Sequence, residues 1–239
     1  MDMERAAGII RKMKGIPGEN GMRFPVRDEN LNVIGYLRGF DESHLRDDAL
    51  IETMARAHTH YKENFMTQFE VTPEKKRSWL ENSVLGDDKK MLFLVETLEG
   101  RVVGQEGFTL RDGGVFSSDA TMKWERDGHP ALFLRNFFER AAMCFILLGC
   151  SRGEITLFKK NIVTMINVKR LGVQKTAEYP LTKSYADGKI TYAKATDPSQ
   201  INTDEILIEY RLEKEDFLAA HPSLAEHPCW EGFLPGLAE

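Results

Sequence analysis

The stretch EITLFKKNIVTMINVKRLGV, residues 154–173, joins a short apolar strand directly to a capped helix. Residues 154–158 form a strand-like run, and a helical pattern begins after Asn161. Asn is a preferred N-cap residue, and Gly172 is typical of a helix end. This unit predicts a sheet covered by helices, and the elements on either side of it extend that prediction.

The segments before this unit predict antiparallel strands and several helices. Residues 41–65 have helical spacing, as one helix or as two with a break between them. Thr72 and Pro73 are typical of a helix start, and Gly86 of its end. The remaining elements are two short strands around RDEN (27–30), a hairpin over 91–110, a strand over 115–124 and an apolar helix over 131–148.

Three further extended stretches follow the opening unit, at 173–180, 189–195 and 205–212. The order predicts an α+β fold, in which a central mixed, largely antiparallel sheet carries helices on both faces. Along 115–124, strand alternation places Asp119, Thr121 and Lys123 on one face. We expect an N-terminal extension with a hairpin over 1–33, one domain over 34–217, and a tail over 218–239 that packs on the outside of the domain or at a dimer contact.

Composition excludes several classes of protein. A hydrophobic content of 42% with 29% charged residues is typical of a soluble globular protein. The net charge of −5 and the absence of a long basic run argue against nucleic acid or an anionic membrane surface as the partner. Arg135, Asn136, Glu139 and Arg140 interrupt the most apolar stretch, so no membrane span is expected.

Cysteine and histidine spacing predicts no metal site. Cys144, Cys150 and Cys229 have no C-x-x-C spacing, and the six histidines include no H-E-x-x-H motif. The N-terminal residues mix charges with apolar residues and lack the apolar core of a secretory signal. We therefore expect a cytoplasmic protein without a disulfide framework or a metal.

The turn ERDGHP, residues 125–130, leads from a strand into a helix. Backbone N–H groups at a helix N-terminus, together with the helix dipole, form a natural seat for phosphate. Gly128 allows close approach of a ligand, and Pro130 suits the first helical turn. The same residues also fit a plain strand-to-helix turn, and no P-loop or G-x-G-x-x-G motif is present.

The order hairpin, strand, phosphate-type turn, helix, strand and N-x-x-x-M-x-x-x-K-R-L-G-V resembles the Gcn5-related N-acetyltransferase (GNAT) superfamily. Over roughly residues 34–217 it is most similar to the branch that acts on ribosomal-protein N-termini or amino sugars. The resemblance implies a GNAT-like fold that binds acetyl-CoA in a V-shaped opening between the strands at 115–124 and 154–158, and no metal. It implies cofactor contacts from these residues: Trp124, Arg126, Asp127, Gly128, His129, Pro130, Ala131 and Asn161.

The chain departs from the family pattern at two places. Asp127 adds a negative charge to the phosphate loop and Pro130 removes an N–H donor, so fewer amides are available. The family often has a tyrosine, the acid for the leaving thiolate, seven residues after the Asn. Val168 occupies that position here, which rules out tyrosine acid catalysis at this site.

Glu106 and Asp119, on adjacent predicted strands, are the candidate catalytic bases. Either can accept a proton if it lies at the cleft, and either can instead be a solvated strand residue. His60, Tyr61 and Phe65 follow the first helical region, which borders the acceptor pocket in the family; the aromatic residues also suit a core. His129 fits better as a support of the loop than as a catalytic residue.

These observations predict an acetyl-CoA-dependent N-acetyltransferase whose acceptor is a primary amine of a small molecule, such as an amino sugar or a sugar nucleotide. The segment 180–203 and the N-terminal hairpin are expected to wall its pocket. Two alternatives remain open: a relative that uses another acyl-CoA or acyl-carrier thioester, with or without decarboxylation, and a catalytically silent binding module. In the last case Trp230 and Phe233 would form an interaction segment or a homodimer contact.

Overall fold

The computed structural model describes residues 1–15, 22–125 and 128–233. The helices of this part of the chain are α1 (Met3–Lys14), α2 (Asp48–His60), α3 (Pro73–Trp79), α4 (Leu132–Ala142), α5 (Ile162–Lys169), α6 (Lys214–Ala220) and α7 (Pro222–Glu226). The strands are β1 (Arg23–Arg27), β2 (Val33–Gly39), β3 (Thr67–Gln68), β4 (Lys90–Glu96), β5 (Val102–Arg111), β6 (Val115–Lys123), β7 (Arg152–Phe158), β8 (Gln174–Ala186), β9 (Lys189–Lys194) and β10 (Ile206–Glu213).

Two of the predicted helices change their winding before they end. A π-helical turn, Leu80–Leu85, continues α3, and a second one, Met143–Leu147, continues α4. Thr72 accepts the N–H of Lys75 as the predicted cap of α3. The helical region 41–65 has the predicted break, because a 3₁₀ turn over Glu42–Arg46 precedes α2.

The strands form one ten-stranded sheet in the order β1-β2-β4-β5-β6-β7-β10-β8-β9-β3. Among the strand pairs that the structure describes, only β6 and β7 run parallel; the others are antiparallel. The predicted mixed, largely antiparallel sheet is therefore confirmed. The crossover from β6 to β7 is α4, which a parallel connection requires.

Helices cover both faces of the sheet, as predicted. Strand β4 is buried on both sides, since Phe93 packs into one hydrophobic cluster and Leu92 and Leu94 into another. The larger cluster holds α1, α4, α5 and the chain after Phe217, and we call this side the α4 face. The smaller cluster holds α2, α3 and its π-helical continuation, and we call this side the α2 face.

The two ends of the chain belong to this core. Ile9, Ile10 and Met13 of α1 are at most 2% exposed, although the sequence predicts only an extension there. In the tail, Trp230 is also 2% exposed and packs in the same cluster. Trp230 therefore presents little surface to a partner, and the packing of the tail on the outside of the domain or at a dimer contact stays a prediction. The predicted boundaries at 33/34 and 217/218 stay predictions.

None of the helices in the described residues is long and apolar enough to cross a membrane. No group of three histidine, cysteine or acidic side chains in the described ranges is arranged to hold a metal ion. The three cysteines are free and buried.

The docking of α1 depends on a glycine in β2. A Cβ atom at Gly39 would lie 2.0 Å from the carbonyl oxygen of Met13, whereas one at Gly8 would meet nothing closer than 3.9 Å. We predict that Gly39→Ala lowers the free energy of unfolding by about 1–3 kcal/mol. Gly8→Ala, the matched control, should raise it by about 0.5–1 kcal/mol through helix propensity. Urea unfolding measures both; equal midpoints would contradict this packing.

Candidate functional site

The sheet opens between β6 and β7. The two strands pair only where Val115–Ser117 meets Arg152–Glu154. Beyond this point β6 stays paired with β5 as far as Lys123, and β7 stays paired with β10 as far as Phe158. Their facing edges separate into a V whose backbone N–H and C=O groups have no strand partner. We call this opening the β6–β7 cleft.

A β-bulge lies on the β6 side of the cleft. Gln105 pairs with Met122 and Gly107 with Asp119, so Glu106 alone lies opposite Ala120 and Thr121. Ala120 has a φ of 51°, a left-handed conformation that is unfavourable for a residue with a Cβ atom. Strain of this kind persists where the surrounding structure enforces it, and it often marks functional sites.

The bulge reverses the alternation of side chains along β6. The Nζ of Lys123 lies 5.1 Å from the ring centroid of Phe133, which belongs to α4. Asp119 lies on the α2 face, where its Oδ2 is 3.0 Å from the Nζ of Lys90. The prediction that Asp119 and Lys123 share a face is therefore wrong, because the extra residue of the bulge intervenes.

The N-terminus of α4 lies just after β6. Helix α4 has no side-chain cap, and the N–H groups of Phe133 and Leu134 donate to no acceptor within the described residues. Gly128 has a φ of 89°, which favours glycine. Among the described residues, the helix start beside the cleft is therefore uncapped, and such a helix start suits an anion.

Several predicted cofactor residues have partners of their own in this loop. The N–H of Ala131 donates to Nδ1 of His129 at 3.2 Å, and the N–H of Leu132 donates to the carbonyl of His129 at 2.9 Å. His129 thus supports the loop, as the sequence indicates. Pro130 has no N–H, and Arg126 and Asp127 lie outside the described residues.

Trp124 and Asn161 follow the two strands that border the cleft. Trp124 Nε1 donates to the carbonyl of Val102 at 3.2 Å. Asn161 Oδ1 accepts the N–H of Thr164 at 3.2 Å, which confirms the predicted cap of α5. The side-chain NH₂ of Asn161 donates to no acceptor in the described part of the chain, so it is available to a ligand. Val168, in place of the family's tyrosine, is fully buried in α5.

The two candidate bases lie on opposite faces of the sheet. Glu106 is 0% exposed on the α4 face, and its Oε2 is 3.5 Å from Nε of Arg140. The side chain of Asp119 is 38% exposed on the α2 face, and it accepts a hydrogen bond of 3.3 Å from Thr109. The sequence places these residues on adjacent strands correctly, but they cannot act on the same side of one ligand.

One of the predicted acceptor residues, Tyr61, contacts the open end of β6. The hydroxyl of Tyr61 donates to the carbonyl of Lys123 at 2.8 Å. Phe65 lies against His58, with 4.6 Å between ring centroids. The next residues form β3, which pairs with β9 of the β8–β9 hairpin, Gln174–Lys194. The segment 61–68 therefore links the end of β6 to this hairpin.

His60 points elsewhere. It lines a cavity of about 480 Å³ with Arg56 and Thr59 of α2 and with Val71 and Pro73. None of the lining residues comes from β6 or β7. The structure brings Tyr61, but not His60, to the strand that borders the cleft.

The fold of this chain is similar to known structures, although its sequence matches no known family. No protein-family model and no curated protein matches the chain. Among solved structures, the nucleotide-linked sugar GNAT FdhC in its apo form aligns with a TM-score of 0.59 at 13% identity, over 87% of this chain and 99% of its own. A GNAT-family acetyltransferase from Bacillus anthracis aligns with a TM-score of 0.58 at 13% identity, over 81% and 99%.

The spermidine N-acetyltransferase of Vibrio cholerae, in complex with CoA and spermine, aligns with a TM-score of 0.52 at 12% identity. It covers 76% of this chain and 96% of its own. These structures share one fold over nearly their whole length. The chain has the GNAT fold. The family resemblance inferred from the sequence is thereby confirmed at the level of architecture.

Within this GNAT fold, the sequence analysis missed Lys76. Lys76 is 2% exposed on the α2 face, where its Nζ lies 4.3 Å from the ring centroid of Trp79. Its position was recoverable, because Lys76, Leu80 and Val84 recur at four-residue steps along α3 and its continuation, and all three are buried.

Burial lowers the pKa of Lys76 to about 7, and the charge of Asp119 opposes that change. Burial, and then the charge of Lys76, lowers the pKa of His58 to about 4. Both nitrogen bases are thus largely uncharged at mildly alkaline pH. The α2 face beside β6 therefore carries a small set of titratable groups: Asp119, Lys90, Lys76 and His58.

We predict that Lys76→Met stabilises the protein more at about pH 6 than at about pH 9. The folded-state pKa of about 7 lies below the ordinary value of 10.5. The unfolded chain therefore binds the extra proton between these values, and wild-type stability rises with pH in that interval. Chemical denaturation at both pH values measures the effect. Lys75→Met, on the exposed side of α3, is the control; the same gain at both pH values would contradict the prediction.

Proposed function

We propose that this protein transfers an acetyl group from acetyl-CoA to a primary amine of a small molecule. The observation that carries the proposal is the β6–β7 cleft with the uncapped start of α4 beside it. The GNAT fold supports it, since that architecture is shared with acetyltransferases, one of them in complex with CoA.

The cleft suits the donor on physical grounds. The pantetheine arm of CoA is extended and carries amide groups, so it can pair with the free edges of β6 and β7 as an added strand does. The pyrophosphate would then meet the N–H groups at the start of α4, where the helix dipole favours negative charge. Asn161, with its free NH₂ group, would donate to the arm from the β7 side.

Asp119 is our proposed base. The donor's phosphates approach from the α4 face, so the acceptor must reach the thioester from the α2 face. Asp119 lies there, part-exposed and held by Lys90 and Thr109. A carboxylate in this position can take the proton of an ammonium group directly or through water. Glu106 cannot, because it is fully buried on the other face.

Charge on the α2 face favours an amino sugar over a polyamine as the acceptor. Asp119 is already paired with Lys90, and Lys76 lies close enough to affect it electrostatically. A substrate with several ammonium groups would find there one carboxylate that Lys90 already neutralises. The structural similarity to a nucleotide-linked sugar GNAT supports the same choice. The β8–β9 hairpin and the segment 61–68 would wall the pocket for this acceptor.

We predict that Gly128→Glu weakens acetyl-CoA binding at least about tenfold. A glutamate there adds negative charge beside the phosphate seat, and its Cβ would lie 3.0 Å from Thr97 Cγ2. Gly113→Glu is the matched control, since Gly113 also has a positive φ, of 78°, but lies at the closed end of the cleft.

Calorimetry with acetyl-CoA, malonyl-CoA and free CoA measures the effect and tests the donor. Equal affinity of Gly128→Glu and wild type would refute the placement of the pyrophosphate. A clear preference for malonyl-CoA would instead favour a different acyl thioester as the donor. Failure of wild type to bind any of the three would overturn the proposed function.

We predict that Asp119→Asn lowers kcat/KM at least about 100-fold with glucosamine 6-phosphate, whose amine is protonated at neutral pH. The same variant should keep most of its activity with hydroxylamine, which is uncharged at that pH, so no base is needed to free its lone pair and solvent can take the proton lost after attack. Asp112→Asn, at a carboxylate 90% exposed, is the control. Thiol release from acetyl-CoA follows both reactions, and equal losses with the two acceptors would argue against Asp119 as the base.

A further inference from the structure

A set of polar groups is enclosed between β5, β6 and α4. Several polar atoms there are buried and have no hydrogen-bond partner: both carboxyl oxygens of Glu106, Oγ1 of Thr121, Oδ1 and Nδ2 of Asn136, and Nε of Arg140. Asn136 and Arg140 are one turn apart on α4 and so face the same way. Buried polar groups in proteins rarely stay unpaired, and clusters of this kind are usually bridged by internal water. We call this set the Glu106 cluster.

Arg140 directs its hydrogen bonds away from Glu106. Its Nη1 donates to the carbonyl of Gly107 at 2.6 Å and to Oγ of Ser118 at 2.9 Å. Only Nε faces the carboxyl group, and it is 3.5 Å away. The carboxyl group of Glu106 thus receives no hydrogen bond, which favours its protonated form.

Burial raises the pKa of Glu106 to about 8, while Arg140 opposes the change. Glu106 therefore holds a proton at neutral pH, and the nearby Arg140 can stabilise the carboxylate once that proton leaves.

Thr121 connects this cluster to the cleft. It lies opposite Glu106 in the bulge, on a strand that borders the opening. The residue is part-exposed, whereas its hydroxyl oxygen is enclosed with the cluster. The α4 face also holds α5, in which Val168 replaces the family's acidic tyrosine. Glu106 can therefore act as a proton source on the α4 face, the same face on which Val168 stands in place of the family's tyrosine.

We propose that Glu106 supplies the proton for the departing CoA thiolate through the hydroxyl of Thr121. This inference rests on the proposed function. As the C–N bond forms and the C–S bond breaks, the amine nitrogen releases one proton to solvent. Thr121 Oγ1, which is enclosed at rest, turns toward the cleft about its Cα–Cβ bond, and the thiolate takes its proton. That oxygen takes the proton of the Glu106 carboxyl group, directly or through a bridging water. The carboxylate left behind faces Arg140 and regains a proton from solvent by the reverse route after CoA leaves.

Glu106→Gln tests the proposal, because glutamine keeps the shape but cannot supply the proton. The substrates are acetyl-CoA and hydroxylamine, an amine that is already uncharged before it attacks. With them, kcat of Glu106→Gln should fall at least about 100-fold below that of wild type. Glu139→Gln is the matched control. Glu139 lies on α4, is 1% exposed, and has a pKa that burial raises to about 7, but its carboxyl group accepts a hydrogen bond from the thiol of Cys229. We expect wild-type kcat from this variant.

The pH profile separates proton supply from a structural role. Wild-type kcat should fall as pH rises through about 8, and Glu106→Gln should be slow without that fall. Of the other groups near Glu106, Cys144 does not titrate there, because burial raises its pKa well above the ordinary range, and guanidinium groups in proteins keep their charge at this pH. Phe93 on β4 and Ser118 on β6 carry no titratable group. Thr121→Val should lose activity like Glu106→Gln, and Thr121→Ser should restore it.

The outcomes distinguish the proposed acetyl transfer from the proposed role of Glu106. No binding of acetyl-CoA by wild type overturns the proposed function. Binding without any transfer by wild type overturns both claims. Two outcomes overturn the role of Glu106 but leave the proposed function standing. In the first, wild type transfers the acetyl group and Glu106→Gln has an unchanged kcat. In the second, Glu106→Gln and Glu139→Gln lose activity equally. The role of Glu106 is supported if Glu106→Gln has a lower kcat and no alkaline decline while Glu139→Gln behaves like wild type.

Discussion

The parting of two neighbouring strands inside a continuous sheet is the constraint on which the site depends. Backbone N–H and C=O groups at such an edge need partners, and burying them unpaired is costly. Strands β6 and β7 can separate because β5 and β10 hold them on their outer sides. The inner edges remain open, and they suit an extended ligand with amides of its own. The start of α4 and the cap of α5 lie beside the same opening because each helix follows one of these strands directly.

The β-bulge at Ala120 determines which chemistry each face of the sheet can perform. The extra residue turns Asp119 to the α2 face and leaves Glu106 on the α4 face. Asp119 is a part-exposed carboxylate beside Lys90, whereas Glu106 is sealed beside Arg140, and burial raises the pKa of Glu106 to about 8. The proposed proton acceptor, Asp119, and the proposed proton donor, Glu106, thus lie on opposite faces of the same sheet. Val168 occupies the position of the family's usual acid, and the proposed role of Glu106 would substitute for it.

The sequence predicts the elements that local patterns encode. The caps at Thr72 and Asn161 and the hairpin over 91–110 depend on residues close together in the chain, and the structure contains each of them. The bulge could not be predicted, because the left-handed conformation of Ala120 arises from pairing with β5. Nor could the docking of α1, which depends on contact between Met13 and Gly39. The opposite orientations of Glu106 and Asp119 follow from the bulge and were hidden for the same reason.

Titration of the ¹⁵N-labelled chain with CoA, followed by amide NMR shifts, tests the central claim most directly. If CoA lies in the β6–β7 cleft, the amides of Thr121, Met122, His129 and Phe133 and the side-chain NH₂ of Asn161 should shift together with one affinity. Shifts confined to the cavity around Arg56, Thr59 and Val71, or no shifts at all, would contradict the account.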